Sequence, residues 1–269
     1  MRWLCLGMTA WSVLLLAMPV AVMAGGVEAI TMPQADIFLG FVGGGLVDEV
    51  VVKEGDRVKK GALLARLNDS VERLELARLT ALAEDTTRLR AAEADLAQKR
   101  ADLKKLQLAR EQGATTDMEI EHATLAVTTA ALQVLMEEFQ QLQHQQNRDV
   151  LKAKLDRMRI VSSVAGGVEE IKIEAGESVE ALAPVIRVVQ NDPLWVDVPV
   201  PLTDARALKV GAHVKVLFPD APQKPVEGRI IYVATVADAA SDTLRIRVEI
   251  PNPARRMAGE RVFVDVSRK

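Results

Sequence analysis

From Leu82 to Met158 the apolar residues of this chain recur at helical spacing, and on either side of that stretch they alternate as strands do. Leu82, Leu89, Leu96 and Leu103 repeat every seven residues, with Ala92, Lys99 and Leu106 at the intervening step. That heptad seam predicts a helix entered at Asn68-Asp69-Ser70, with Glu72 placed to complete a capping box on Asp69. It stops at Gln112-Gly113, where glycine supplies the left-handed residue past a helix end. Thr116 with Glu119 forms a second capping box and opens a return helix, along which Ile120, Val127 and Val134 keep the seven-residue spacing. Leu125, Leu132 and Phe139 form a parallel row, and Thr128, Leu135 and Leu142 another. Neither helix contains proline. Each is expected to run roughly 40 residues, or about 60 Å, and the short connection forces them antiparallel. The polar run Gln140 to Asn147 reads as a solvated face.

The strands around this hairpin come in two related sets. Val47, Glu49, Val50, Val52, Gly55 and Val58 are matched by Val168, Glu170, Ile171, Ile173, Gly176 and Val179, each 121 positions later. A repeat interrupted by some ninety residues reads as one small β module cut open, with the helices inserted in the cut. The first half spans Gly40 to Leu67, preceded by a short irregular stretch over 25–39 with one edge strand. The second half spans Arg159 to Val189, and Asn191-Asp192-Pro193 reads as the linker after it. From Leu194 onward five or six short strands alternate with turns, the pattern of a small all-β barrel. The fold class is therefore α+β, elongated and multidomain: residues 25–68 and 159–191 as the split β module, 69–158 as a long antiparallel coiled-coil hairpin, and 192–269 as a C-terminal β-barrel.

Composition narrows what such a fold can do. The chain of 269 residues is 49% apolar but only 3% aromatic, so its cores are built from Val, Leu, Ile and Ala. Net charge is −3 and no basic patch with interleaved aromatics occurs, which excludes a nucleic-acid partner. Residues 1–24 read as an export signal: Arg2, an apolar run, and Val22-Met23-Ala24 before Gly25. An uncleaved anchor is the alternative, since that run could span a bilayer. The single cysteine, Cys5, lies within it. His122, His144 and His213 are too scattered for a shared metal. Gly43-Gly44-Gly45 leads into a strand without Gly-Lys-Ser/Thr, no serine sits in a Gly-x-Ser-x-Gly elbow, and no carboxylate pair is set in an apolar cleft. The sequence offers no catalytic, cofactor or metal site, so an enzyme is not expected.

Gly45 to Leu67 (GLVDEVVVKEGDRVKKGALLARL) resembles the first half of a biotinyl/lipoyl-type module, and Arg159 to Val189 the second. With a hairpin between the halves and a barrel whose marks include Trp195, Gly211, Gly228, Asn252-Pro253 and Gly259, residues 30–266 resemble the periplasmic adaptors, or membrane fusion proteins of the HlyD type. The resemblance implies a non-catalytic, cofactor-free periplasmic protein that joins an inner-membrane transporter of the RND or ABC type to an outer-membrane channel. It also implies a homo-oligomer, trimeric or hexameric. The family's partner-binding hairpin tip often carries Arg, then Leu four later, then Ser seven after that. Aligned on the Thr116 box, this chain has Lys105, Ala109 and Thr116, with Gly113 at the turn. Charge and hydroxyl are kept, and the leucine is replaced by alanine. The chain ends at Lys269, so the membrane-proximal module of longer members is expected to be absent.

Two other classes compete. A lipoate or biotin carrier needs a lysine in the turn between the β halves, and that position falls near Val71. An exported coiled-coil scaffold without a transporter would share every element of the pattern.

Overall fold

The computed structural model describes residues 26–266. The export signal and Cys5 therefore lie outside the described residues. The chain divides into two compact units, one of residues up to Met32 with those from Pro193, the other Pro33–Asp192. Its elements in order are β1 (Val27–Leu39), β2 (Gly45–Val50), β3 (Arg57–Val58), β4 (Leu63–Leu67), α1 (Ser70–Glu84), α2 (Thr87–Glu111), α3 (Asp117–Arg157), β5 (Arg159–Val161), β6 (Gly166–Ile171), β7 (Ser178–Val179), β8 (Ile186–Pro201), α4 (Leu202–Ala205), β9 (His213–Leu217), β10 (Val226–Val233), β11 (Thr243–Ile250) and β12 (Arg261–Asp265).

The sequence repeat is a structural repeat, down to single hydrogen bonds. β2 pairs with β7 through Gly45↔Val179 and Leu46↔Ser178, and β6 pairs with β3 through Gly166↔Val58 and Gly167↔Arg57, the same contacts with the halves exchanged. The Val47 N–H donates to the Glu177 carbonyl and the Val168 N–H to that of Asp56, each at a position 121 residues from its counterpart. Val47↔Leu67, Glu49↔Arg66 and Val50↔Ala65 recur as Val168↔Val188, Glu170↔Arg187 and Ile171↔Ile186, with the register shift at the same place. Each half donates strands to the other's ladder. Neither half closes its own hydrogen bonds, so both must fold together. Val47, Leu64, Ala65, Val168, Ile186 and Val188 fill the shared core, none more than 2% exposed.

The helices enter and leave this module side by side, where the Leu67 N–H donates to the Met158 carbonyl over 2.9 Å and β4 pairs with β5. Contacts climb one arm as they descend the other. Glu72 meets Lys154 at 3.1 Å, Gln141 Nε2 reaches the Ala83 carbonyl at 3.4 Å, and Arg110 pairs with Asp117. The arms are antiparallel, and α3 alone, at 41 residues, is about 60 Å long.

Five expectations need correction. The first arm is not one helix of forty residues: it breaks at Asp85-Thr86, between α1 and α2. Asp85 Oδ1 accepts the Thr87 N–H at 2.9 Å, the local side-chain bond by which Asp competes with a helix. The break shifts the seam by one residue, so Ala83 is buried and Leu82 is 37% exposed. Asp69 makes no capping bond. Its carboxylate holds Arg73 at 2.6 Å, while Glu72 turns to Lys154. The run Gln140–Asn147 is not wholly solvated, because Gln141, His144 and Gln145 are half-buried. Finally, 25–39 is not short and irregular: β1 is a 13-residue strand, and Asn191-Asp192-Pro193 lies inside the 16-residue β8 instead of forming a linker. β8 is long because it pairs with β6 over Ile186–Val189 and with β11 over Leu194–Pro201, and residue pattern alone does not show pairing partners.

In the other unit, β1, β12, β9, β10, β11 and β8 pair in that order, and β1 also pairs with β8, so the six strands return on themselves. Alternate residues point inward: Leu194, Val196, Val198 and Val200 from β8, Ile246, Val248 and Ile250 from β11, Val262 and Val264 from β12, all 1% exposed or less. Gly228 is required by the closeness of this packing, since a Cβ there would lie 2.5 Å from Val248 Cγ1 and 2.9 Å from Ile250 Cγ2. Outside, Asp197 clamps the Arg247 guanidinium at 2.6 and 2.8 Å, and Arg247 lies 4.7 Å over the Trp195 ring.

Candidate functional site at the hairpin tip

The turn between α2 and α3 is built from both ends. α2 finishes in a Schellman motif: the Ala114 N–H donates to the Ala109 carbonyl at 2.9 Å and the Gly113 N–H to that of Arg110 at 2.9 Å, with Gly113 at φ +71°. α3 begins with the expected capping box, in which Thr116 Oγ1 accepts the Glu119 N–H at 3.3 Å and Glu119 Oε2 accepts the Thr116 N–H at 2.8 Å. The same carboxylate accepts the hydroxyls of Thr115 at 2.6 Å and Thr116 at 2.9 Å. These three donors, the Thr115 hydroxyl first, favour the charged form and hold the Glu119 carboxyl down at about 2. Arg110 closes the loop, reaching Asp117 and donating to the Thr115 carbonyl at 3.4 Å.

Three of the four residues expected at the tip meet in this turn. The Ala109 carbonyl is its acceptor, Gly113 its left-handed residue and Thr116 its cap, so all three shape the turn. Lys105 stands apart, a turn farther down α2, with its ammonium 3.3 Å from Asp102. Sequence reasoning missed Arg110, Thr115 and Asp117, which brace the loop, and Leu108 and Met118, which are 51% and 67% exposed beside it. An arginine in the last turn of one helix and an aspartate in the first turn of the next were the available signal. Chemically the tip offers a rigid knob with apolar side chains set among charges. It can dock, and it encloses nothing.

Elsewhere a cleft of about 240 Å³ lies at the α1–α2 break, lined by Leu82, Asp85, Arg88, Leu89, Glu137 and His144 among others. Among the described residues no cluster of three or more His, Cys, Asp or Glu is placed to hold a metal ion, and no helix is long and apolar enough to cross a membrane. Val71, where a carrier lysine would fall, is an exposed residue in the first turn of α1.

The described residues thus combine a split β module carrying a helical hairpin with a closed six-stranded barrel. Comparisons with known proteins match parts of this fold. Residues 193–266 match the CusB-like β-barrel domain family. The fatty acid resistance protein FarA of Neisseria gonorrhoeae is 29% identical over 202 residues, covering 62% of this chain and 51% of its own. Among solved structures, MacA from Actinobacillus actinomycetemcomitans superposes with a TM-score of 0.69 at 18% identity, over 89% of this chain and 78% of MacA. The membrane fusion protein Spr0693 from Streptococcus pneumoniae R6 does so with a TM-score of 0.52 at 19% identity, over 90% and 98%. The chain spans about half the length or less of the curated relatives it matches.

Proposed function

We propose that this protein is the periplasmic adaptor of an export pump, a homo-oligomeric spacer between an inner-membrane transporter of the RND or ABC type and an outer-membrane channel. The observation that carries this reading is the insertion of a braced, roughly 60 Å hairpin into a β module whose two halves hold each other shut. Such a unit transmits position over distance. The hairpin tip is the end offered to the channel, with Ala109, Gly113 and Thr116 as the docking turn, Lys105 one helical turn below it, and Leu108 and Met118 flanking. Ala109 in place of the family's leucine leaves less apolar surface there, and the two exposed apolar neighbours make up for it. The split β module is the lipoyl-like domain of this architecture, without its carrier lysine. The name of the gonococcal relative makes fatty acids the first compounds to test as cargo.

Photo-crosslinkers at Thr115, at the tip, and at Val226, on the barrel, test the reading in cells exporting the full chain. The expected result is capture of an outer-membrane protein from Thr115 and of an inner-membrane protein from Val226. Capture of neither would leave an exported scaffold as the better description.

A further inference from the structure

One arm of the hairpin is interrupted and the other is not. α1 ends at Glu84 and α2 begins at Thr87, with Asp85 in an extended conformation (φ −72°, ψ 105°) and Thr86 outside the helical region (φ −100°, ψ 9°). α3 passes the same level as one continuous helix. A few residues at the ends of elements are where a fold absorbs a rotation.

Packing across the break is polar. Between Val134 and Leu155 no residue of α3 is buried. The half-buried residues there are Glu137, Gln141, His144, Gln145 and Arg148, with Leu151 beyond them. Gln141 Nε2 reaches the Ala83 carbonyl, one of those left free where α1 ends, over a long 3.4 Å. A close-packed apolar layer resists displacement of one helix against another, and a polar layer open to water does so far less.

The cleft of about 240 Å³ lies beside this layer, and opposite charges face each other across it. Arg88, in the first turn of α2, and Glu137, on α3, both line it. Counting along the arms from the Ala83–Gln141 contact places the two within one residue of level. They are not paired. Glu137 Oε1 accepts Gln133 Nε2 at 2.7 Å, and the Asp85 carboxylate is held by the Thr87 N–H. Arg88 acts on Asp85 only through space, with no hydrogen bond or ion pair of its own among the described residues.

We infer that Asp85-Thr86 is a joint about which the hairpin closes onto this cleft, and that an Arg88–Glu137 ion pair holds the closed arrangement. The structure shows the open one. On closing, Glu137 exchanges the Gln133 amide for the guanidinium, and α3 follows by the gentle curvature that long helices tolerate. An ion pair this exposed is weak, so both arrangements are populated. The joint goes beyond the adaptor reading and does not rest on it.

The test is the distance between spin labels on the full chain carrying Cys5→Ser. Arg78→Cys on α1 with Lys104→Cys on α2 spans the joint, and Arg90→Cys with Lys104→Cys lies on α2 alone. The spanning pair is expected to give two distances and a spread at least twice that of the pair within α2. Glu137→Gln and Arg88→Gln should each reduce the second population several-fold, and Arg88→Glu combined with Glu137→Arg should restore it. High salt should reduce it without any substitution. Asp85→Ala with Thr86→Ala, which favours a continuous helix, should leave one distance. A single distance across the joint, no wider than that within α2, overturns the inference. So does a second population that neither Glu137→Gln nor salt diminishes. Capture from Thr115 and Val226 bears on the adaptor reading alone, so either reading can fail while the other stands.

Discussion

The barrel and the hairpin bury their apolar residues to very different extents. In the barrel, Leu194, Val196, Val198, Ile230, Ile246 and Val264 are 1% exposed or less, and the strand order returns on itself. Along the hairpin helices only Ala83, Leu96, Ala130, Val134 and Leu155 are buried apolar residues, none completely, while eight large apolar residues of α3 are exposed. A barrel satisfies its edges and its core within one chain, whereas two helices can cover only one stripe of each other. Within one chain the hairpin leaves most of its large apolar side chains uncovered.

That contrast can be broken at its strongest point first. Ile246→Ala empties a fully buried barrel site and is expected to cost about 3 kcal/mol or more in chemical denaturation followed by near-ultraviolet signal from the barrel tryptophan. Leu96→Ala, at the centre of the hairpin seam but only nearly buried, should cost roughly half that, near the lower end of such truncations, about 1.5–2 kcal/mol. Equal losses at the two sites would erase the distinction. Thr116→Ala removes the cap of α3 and should cost about 1 kcal/mol, seen as faster amide exchange at the tip with the barrel unchanged.

The tip also carries a pH signature. Glu119 has a carboxyl pKa of about 2 in the folded chain, below the roughly 4.3 of an unfolded glutamate, so its contribution is present above that unfolded value and lost as pH falls through about 2. Exchange protection at the tip is expected to hold from pH 7 to 5 and to fade between about 4.3 and 2, and in Glu119→Gln the fading should be gone. Smallest of all, Lys154→Ala at the hairpin base breaks an exposed pair with Glu72 and should change stability by only a few tenths of a kcal/mol, about 0.3. A loss above about 1 kcal/mol would show the base to be held electrostatically, which the packing does not suggest.

Legibility in the sequence followed the range of the forces involved. The Thr116–Glu119 box and the Gly113 turn are local, and each is where residue spacing put it. The break at Asp85-Thr86 was equally local, with an aspartate and two threonines as its signal, but the leucine heptad across it masked that signal. Pairing across distance was harder to read. The length of β1 and the passage of β8 through Asn191-Asp192-Pro193 depend on which strands lie alongside, and alternation cannot name a neighbour. Ala109, Gly113 and Thr116 were found at the tip, yet Arg110 and Thr115, which brace it, act through contacts that only the folded turn creates.

By itself the sequence determined the split repeat, because the same valines and glycines stand 121 residues apart and must take the same conformations. It also determined the hairpin, since heptads, caps and the absence of proline are all short-range. Only the tertiary structure decided that the halves exchange strands, and which side of α3 is covered and which is left bare. Seven-residue rows fix that a helix has several apolar faces, but the choice among them is made by packing against the other arm.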